Sequence, residues 1–368
     1  MSALAAHLYA LIRNEGPITV ARYMAEALGH PQLGYYATRD PFGRGGDFIT
    51  APEISQMFGE LIGLWCAEMW RRLGRPRPIR LVEFGPGRGT LMADALRAIG
   101  QAMPELRTAL AVHLIETSPA LRARQTGSLR QVEAQWHDRW DEVPEGPVLA
   151  IANEFVDALP VHQLVRQGGQ WRERLVGLAA DGATLRFELS ADAPAATAFL
   201  PAPLAAAAGA LPDGSVVEVR PAALEMARAL GTRIAAEDGA ALIVDYGHAP
   251  SAPGDTLQAV RGHRFVDVLA DPGEADLTAH VDFQAFAEAA RASGAAAWGP
   301  VAQGRFLRAL GIETRAATLL KGARPEQAKA IEQAMRRLIE PPEMGSLFKV
   351  LALSRAASPP PPGFESAP

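Results

Sequence analysis

The chain has 368 residues, 48% of them hydrophobic and 21% charged, with a formal net charge of −5. This is a globular composition, long enough for one large domain with additions or for two domains. No dense basic tract marks a nucleic-acid footprint. The single cysteine, Cys66, excludes a disulfide framework and argues against a cysteine metal cluster.

Met1–Ile12 has neither the basic n-region nor the long apolar core of a signal peptide, and no Arg-rich transit segment follows. No apolar run approaches the ~18 residues of a membrane span, so a cytoplasmic protein is expected. Residues 1–30 predict two amphipathic helices broken near Gly16-Pro17, with Pro17 in the first turn of the second and Gly29 at its end. An irregular stretch from His30 to Glu53 follows, rich in Gly, Tyr, Asp and Pro, of a length that is usually functional or disordered. A helix is predicted from about Ser55 to Leu73, with Cys66 as a packed core thiol.

Strands predicted at 79–84, 111–116 and 147–152 alternate with helical patterns, as in a parallel doubly wound sheet. After Pro160 the pattern changes: Gln163–Val176 and Thr184–Leu189 alternate like antiparallel strands around Asp181-Gly182, an inserted hairpin. A helix over Pro221–Ala236 leads to a core strand over Ala240–Asp245. The last strands fall near Ala296–Val301 and Ser346–Leu353, with a helical insertion between them at about 305–340. The expected organisation is an N-terminal helical cap and active-site loop (1–75), an α/β core (76–355) with insertions at about 163–215 and 305–340, and a Pro-rich disordered tail (356–368).

The segment Leu81-Val-Glu-Phe-Gly-Pro-Gly-Arg-Gly-Thr90 carries the most chemistry. A buried strand ends in an acid, turns through three alternate glycines and enters a helix whose first N–H groups are unpaired. Glycine admits backbone angles closed to other residues and lets a ligand approach the main chain. A dinucleotide fingerprint needs Gly-x-Gly-x-x-Gly, but Thr90 stands at its third glycine; a Walker loop needs a Gly-Lys-Ser/Thr that is missing. A second apolar run, Leu110–Ile115, ends in Glu116, where a parallel strand sets a carboxylate beside ribose hydroxyls. Together these features look like the S-adenosylmethionine site of a class I methyltransferase. The plainer alternative is an ordinary strand-to-helix turn, with Glu116 as a helix N-terminal charge before Thr117-Ser-Pro119.

Longer motifs carry a more specific resemblance. Gly34-Tyr-Tyr36, Gly45-Gly-Asp-Phe-Ile-Thr-Ala-Pro-Glu-Ile-Ser55 and Phe58-Gly-Glu-Leu61 resemble the amino-terminal signature of the MidA-type methyltransferases. The likeness continues through Glu83–Leu91, Asn153-Glu-Phe-Val-Asp-Ala-Leu-Pro160, Asp245-Tyr-Gly-His248, Gly254–Leu257, Asp276–Thr278, Val281–Phe283 and Met344–Val350. Mitochondrial members of this family are complex I assembly-factor arginine methyltransferases. The resemblance implies a Rossmann-like methyltransferase core with added helical elements. For the mitochondrial members it implies symmetric dimethylation of an arginine on the complex I subunit next to the quinone site, and for this chain a protein partner, a complex I subunit.

On that footing, Gly85, Pro86, Gly87 and Gly89 fold around the methionine portion of the cofactor, Glu83 meets its ammonium, and Glu116 accepts from the ribose. Asp47 and Thr50 sit in a loop expected to close over cofactor or acceptor, with Tyr35 and Tyr36 as a wall or simply packed. Asn153, Glu154 and Asp157, at a strand end, are the candidate acceptor-positioning and catalytic residues. Glu154 and Asp157 share a helical face if a helix starts at once; otherwise Asp157 is a capping or salt-bridging residue. An arginine acceptor is protonated and a poor nucleophile, and carboxylates hold its fork bidentately. His248 is a possible base or a structural histidine, and neither His137 nor His280 has metal-ligand spacing. No nucleic-acid partner, membrane insertion or metal is expected. The remaining alternatives are methyl transfer to a small molecule, a cofactor-binding assembly chaperone without turnover and, last, a nicotinamide dehydrogenase.

Overall fold

The computed structural model describes residues 2–39, 43, 46, 47 and 49–365. Phe48 of the expected closing loop, Gly45 of the amino-terminal signature and residues 366–368 of the expected tail lie outside the described residues. The chain divides into two compact units: residues 1–48, 156–225 and 248–285 in one, and 49–155, 226–247 and 286–368 in the other. The expected boundary at 75 is therefore replaced. The helix at 56–72 belongs with the α/β core, while the first 48 residues and the inserted strands after Pro160 share a unit.

The larger unit is built on a mostly parallel sheet. From one edge the strands run Ala295–Ala302, Phe348–Arg355, Gly239–His248, Val148–Asn153, Ile79–Phe84, Leu110–Ile115 and Ala134–His137. The first three pair antiparallel and the rest parallel. Val148–Asn153 is buried at every position, as expected of a central parallel strand covered on both faces. This is the Rossmann-like α/β architecture the sequence predicts. The short edge strand Ala134–His137 was not predicted.

Packing against this sheet follows the sequence periodicity. In the helix Gln56–Arg72, Phe58, Leu61, Ile62, Trp65, Cys66, Met69 and Trp70 are buried, at the i, i+3, i+4 spacing of a core-facing stripe. Burial pushes the Cys66 thiol up to about 12. Gly59 and Gly63 let the Thr90–Ala102 helix come close: a methyl at Gly63 would lie 2.5 Å from the Ala95 carbonyl oxygen. The expected disordered tail instead packs. Phe364 is 1% exposed, with its ring 5.5 Å from that of Phe306.

The smaller unit begins with helices Ala3–Glu15 and Val20–Gly29, capped by Ser2 and Thr19. Pro17 does not enter the second helix; it precedes a two-residue strand, Ile18–Thr19. The expected strand at 163–176 is two strands, His162–Gln167 and Gln170–Leu178, because Gly168 and Gly169 both take positive φ and turn the chain. These pair antiparallel with each other and with Ile18–Thr19, Leu185–Leu189 and Val216–Val219. A separate three-stranded sheet holds Gln258–Arg261, Arg264–Val266 and Asp276–Thr278. Leu8, Tyr23, Met24, Val176 and Leu277 are part of this unit's main core.

Candidate functional site

The glycine turn leaves the carboxyl end of the Ile79–Phe84 strand. Gly85, Gly87 and Gly89 take φ of 57°, 53° and 78°, the left-handed region that favours glycine. A methyl at Gly85 would lie 2.6 Å from Phe155 Cδ2, so a side chain there would force that ring to shift. Buried Pro86 offers its carbonyl to the Gly89 N–H at 2.7 Å, closing the turn. Gly89 then caps the Thr90–Ala102 helix without a side-chain hydrogen bond, which leaves first-turn N–H groups for an anion. Thr90, where a dinucleotide site would need glycine, donates its hydroxyl to Glu53, which also lies 3.6 Å from Arg88.

Two acids frame this turn. Glu83 is 3% exposed, and its Oε2 has no hydrogen-bond partner among the described residues. Burial pushes its carboxyl up to about 8, so a cation placed there would recover its charge. Glu116 directly follows the Leu110–Ile115 strand and is 8% exposed. Its Oε1 accepts from Ser118 N–H at 2.8 Å and its Oε2 from Gln125 Nε2 at 3.1 Å. Burial raises its carboxyl above the ordinary value, partly offset by these donors. A glycine cradle, a helix start, an orphaned acid and an oriented acid fit the carboxylate, ammonium and ribose of S-adenosylmethionine.

Asn153 ends the Val148–Asn153 strand and Glu154 follows it. Glu154 takes φ 49°, a strained backbone for a residue with a side chain. No helix starts there; residues 154–160 form bends and turns, so Glu154 and Asp157 do not share a helical face. Glu154 Oε1 accepts from the Ala51 N–H at 2.8 Å and from Asn153 Nδ2 at 3.2 Å. Asn153 is 8% exposed, and its Oδ1 has no partner among the described residues. Thr50 is the N-cap of the short helix Ala51–Ile54, but its side chain makes no cap bond.

The other named residues lie in the smaller unit. Asp47 accepts from Tyr35 Oη at 2.7 Å and from Gly262 N–H at 2.7 Å, so both its oxygens engage protein donors. Of the two expectations for Tyr35 and Tyr36, a wall or simple packing, the structure gives braces on acids, Tyr36 donating to Asp276 at 2.8 Å. Burial, then the charge of Asp157, pushes the Asp276 carboxyl up to about 7. Asp157 is 5% exposed, and its carbonyl accepts from Ala279 N–H and from Arg220. Buried Arg220 also donates to the carbonyls of Leu159, Ala279 and His280.

Sequence reasoning missed Glu53, Arg220 and Gln125. For Gln125 a signal existed: it lies four residues after Leu121 and four before Leu129, on the buried stripe of the Pro119–Ser128 helix. The structure also gathers ligand-type atoms of His7, Glu26 and His30 within 4.8 Å of one another. However, His30 Nδ1 accepts from the Gln32 and Leu33 amides. That puts the neutral ring's proton on Nε2 and leaves no lone pair there for a metal.

Residues 61–301 match the family described as S-adenosyl-L-methionine-dependent methyltransferases. The Drosophila melanogaster protein arginine methyltransferase NDUFAF7 homolog, mitochondrial, is 40% identical over 382 residues, covering 95% of this chain and 84% of that protein. The Homo sapiens protein arginine methyltransferase NDUFAF7, mitochondrial, is 38% identical over 372 residues, covering 94% and 82%. A crystal structure of a Burkholderia thailandensis protein bound to S-adenosyl-homocysteine matches with a TM-score of 0.83 at 33% identity, covering 99% of this chain and 95% of that one. The expectation of a cytoplasmic protein is overturned by these names, since the curated relatives are mitochondrial proteins. Among the described residues no helix is long and apolar enough to cross a membrane. With its family matched over most of its length, this chain belongs to the MidA-type S-adenosylmethionine-dependent methyltransferases, and S-adenosylmethionine is its cofactor.

Proposed function

We propose that the protein methylates an arginine side chain of another protein, a subunit of respiratory complex I, with Glu154 and Asn153 positioning the acceptor. The curated relatives named as protein arginine methyltransferases support the acceptor class. The observation that carries the reading is the pair of acceptors at the strand end: a carboxylate on strained backbone beside the buried Oδ1 of Asn153, which has no partner among the described residues. A guanidinium carries five N–H donors in a planar fork and no acceptor, so it complements such a pair.

When bound, S-adenosylmethionine supplies an electrophilic methyl group on a sulfonium. Glu83 holds the ammonium, the glycine turn and helix start hold the carboxylate, and Glu116 holds the ribose. Glu154 takes guanidinium N–H bonds and favours positive charge away from the attacking nitrogen, whose lone pair would form the new N–C bond as the methyl–sulfur bond breaks and its electron pair returns to sulfur. The same carboxylate lies on the route by which the nitrogen's surplus proton leaves. Alignment is the main contribution of the protein, and proximity alone supplies up to about 7–11 kcal/mol in well-oriented reactions.

The test is transfer of isotopically labelled methyl from S-adenosylmethionine into proteins of a lysate lacking this gene product, read by mass spectrometry. A labelled arginine on a complex I subunit is expected, and its loss with Gly87→Val, a β-branched residue at φ 53°. Label on arginines of other proteins alone would remove the complex I assignment. No labelled protein despite measurable cofactor binding would overturn the protein-acceptor reading in favour of a small-molecule acceptor or a binding role.

A further inference from the structure

We propose that Gln125 is a positioning residue for cofactor recognition, setting the glycine turn and the ribose-binding carboxylate in fixed relation to each other. The inference rests on Glu116 as the ribose acceptor. Gln125 lies on the Pro119–Ser128 helix and is 0% exposed. Its Nε2 donates to the Gly87 carbonyl at 2.9 Å and to Glu116 Oε2 at 3.1 Å. Its Oε1 accepts from the Trp136 indole N–H at 2.8 Å.

This network admits one amide orientation. Turned over, the amide oxygen would face a carbonyl and a carboxylate, and the NH2 would face an indole donor. One side chain therefore joins three places that follow or form different strands: the turn after Ile79–Phe84, the acid after Leu110–Ile115, and the edge strand Ala134–His137. With Ser118 N–H at Oε1 and Gln125 at Oε2, each oxygen of Glu116 has a protein donor and the carboxylate plane is held. Both oxygens can still accept from a vicinal diol, since each carries two lone pairs. Without Gln125 the carboxylate loses its side-chain donor at Oε2, and the Gly87 carbonyl loses its buried donor.

The consequence is specific: Gln125 governs discrimination for the ribose hydroxyls, beyond general affinity. The experiment measures dissociation constants of S-adenosylhomocysteine and its 2′,3′-dideoxy analogue by calorimetry. Wild type, Gln125→Met and Gln125→Glu are compared, with thermal unfolding of each. Gln125→Glu keeps the shape and the acceptor for Trp136 while replacing the donating NH2, so it is read alone if Gln125→Met does not fold. Hydrogen bonds to a charged group predict that wild type prefers the diol by roughly 10–100-fold. In the variants that preference is expected to collapse toward unity, S-adenosylhomocysteine weakening far more than the dideoxy analogue. If both ligands weaken equally and the preference survives, Gln125 is structural and the proposal falls. A wild type without the preference would instead overturn the Glu116 assignment beneath it, and the proposal with it.

Discussion

The Ala51 N–H donates to Glu154 Oε1 at 2.8 Å, fastening the first turn of the Ala51–Ile54 helix to the end of the Val148–Asn153 strand. The proposed acceptor-binding carboxylate thus also anchors the segment that begins at Thr50. A bond to a charged acceptor outweighs a neutral one, so substitutions at Glu154 test both functions at once.

Glu154→Gln keeps an oxygen for the Ala51 N–H and removes the charge. Cofactor affinity is expected to change little, while methyl transfer falls by roughly 100-fold or more. Steady-state transfer assays beside cofactor calorimetry separate the two. Turnover at the wild-type rate would remove Glu154 from the reaction.

On the proposed pairing of Glu83 with the cofactor's ammonium, cofactor binding is proton-linked. Its buried carboxyl, pushed up to about 8, is protonated at neutral pH and must ionise to pair with an ammonium. Binding at pH ~6.5 should therefore release a proton, and affinity should rise by up to about tenfold per pH unit toward pH 8. Without ligand, a raised acid stabilises the fold below its ordinary value of about 4.3, and that contribution is lost as pH climbs toward 8. Calorimetry in two buffers of different ionisation enthalpy checks the proton count. A buffer-independent enthalpy, or one unchanged by Glu83→Gln, contradicts the assignment.

His113 Nδ1 and His137 Nε2 are 2.9 Å apart, a bond needing one donor and one acceptor. Burial, followed by the proximity of His137, lowers the His113 ring to about 4. A lowered histidine is neutral in the fold but charged in the unfolded chain below its ordinary value of about 6.5. Stability is then full above that pH and lost as pH falls toward 4, by on the order of 2–3 kcal/mol. Denaturant melts from pH 7 to 4 should show this decline, and His113→Leu should flatten it. Equal slopes in the two proteins would locate the acid sensitivity elsewhere.

Phe364 decides whether the C-terminal segment belongs to the fold. Truncating a buried aromatic costs about 3–5 kcal/mol, so Phe364→Ala should lower the urea midpoint clearly. A disordered tail would leave that midpoint unchanged.

Much of the α/β core was legible because its signals are local. Leu81–Phe84 and Leu110–Ile115 are short apolar runs bounded by breakers, and each leads to an acid at or just beyond the strand end. The weak edge strand Ala134–His137 escaped notice, since an edge need not be apolar on both faces. The hairpin around Asp181-Gly182 forms where expected, with Leu178 opposite Leu185, but the reading of its first strand hid a second turn at Gly168-Gly169. The Pro-rich end read as disorder because one buried aromatic does not alter a segment's composition.

The sequence by itself determined the family, the order along the chain of every core strand but Ala134–His137, the glycine turn and an acid at or just beyond the end of two strands. Periodicity, breakers and residue type are properties of neighbouring residues, and a whole-chain likeness needs no coordinates. Only the tertiary structure decided that Asp47 is engaged by Tyr35 and Gly262, that Glu154 holds Ala51, and that Gln125 joins Gly87, Glu116 and Trp136. The physical reason is that a buried polar side chain must find partners wherever the fold brings them. Those partners stand far along the chain as often as nearby, 103 residues apart for Ala51 and Glu154.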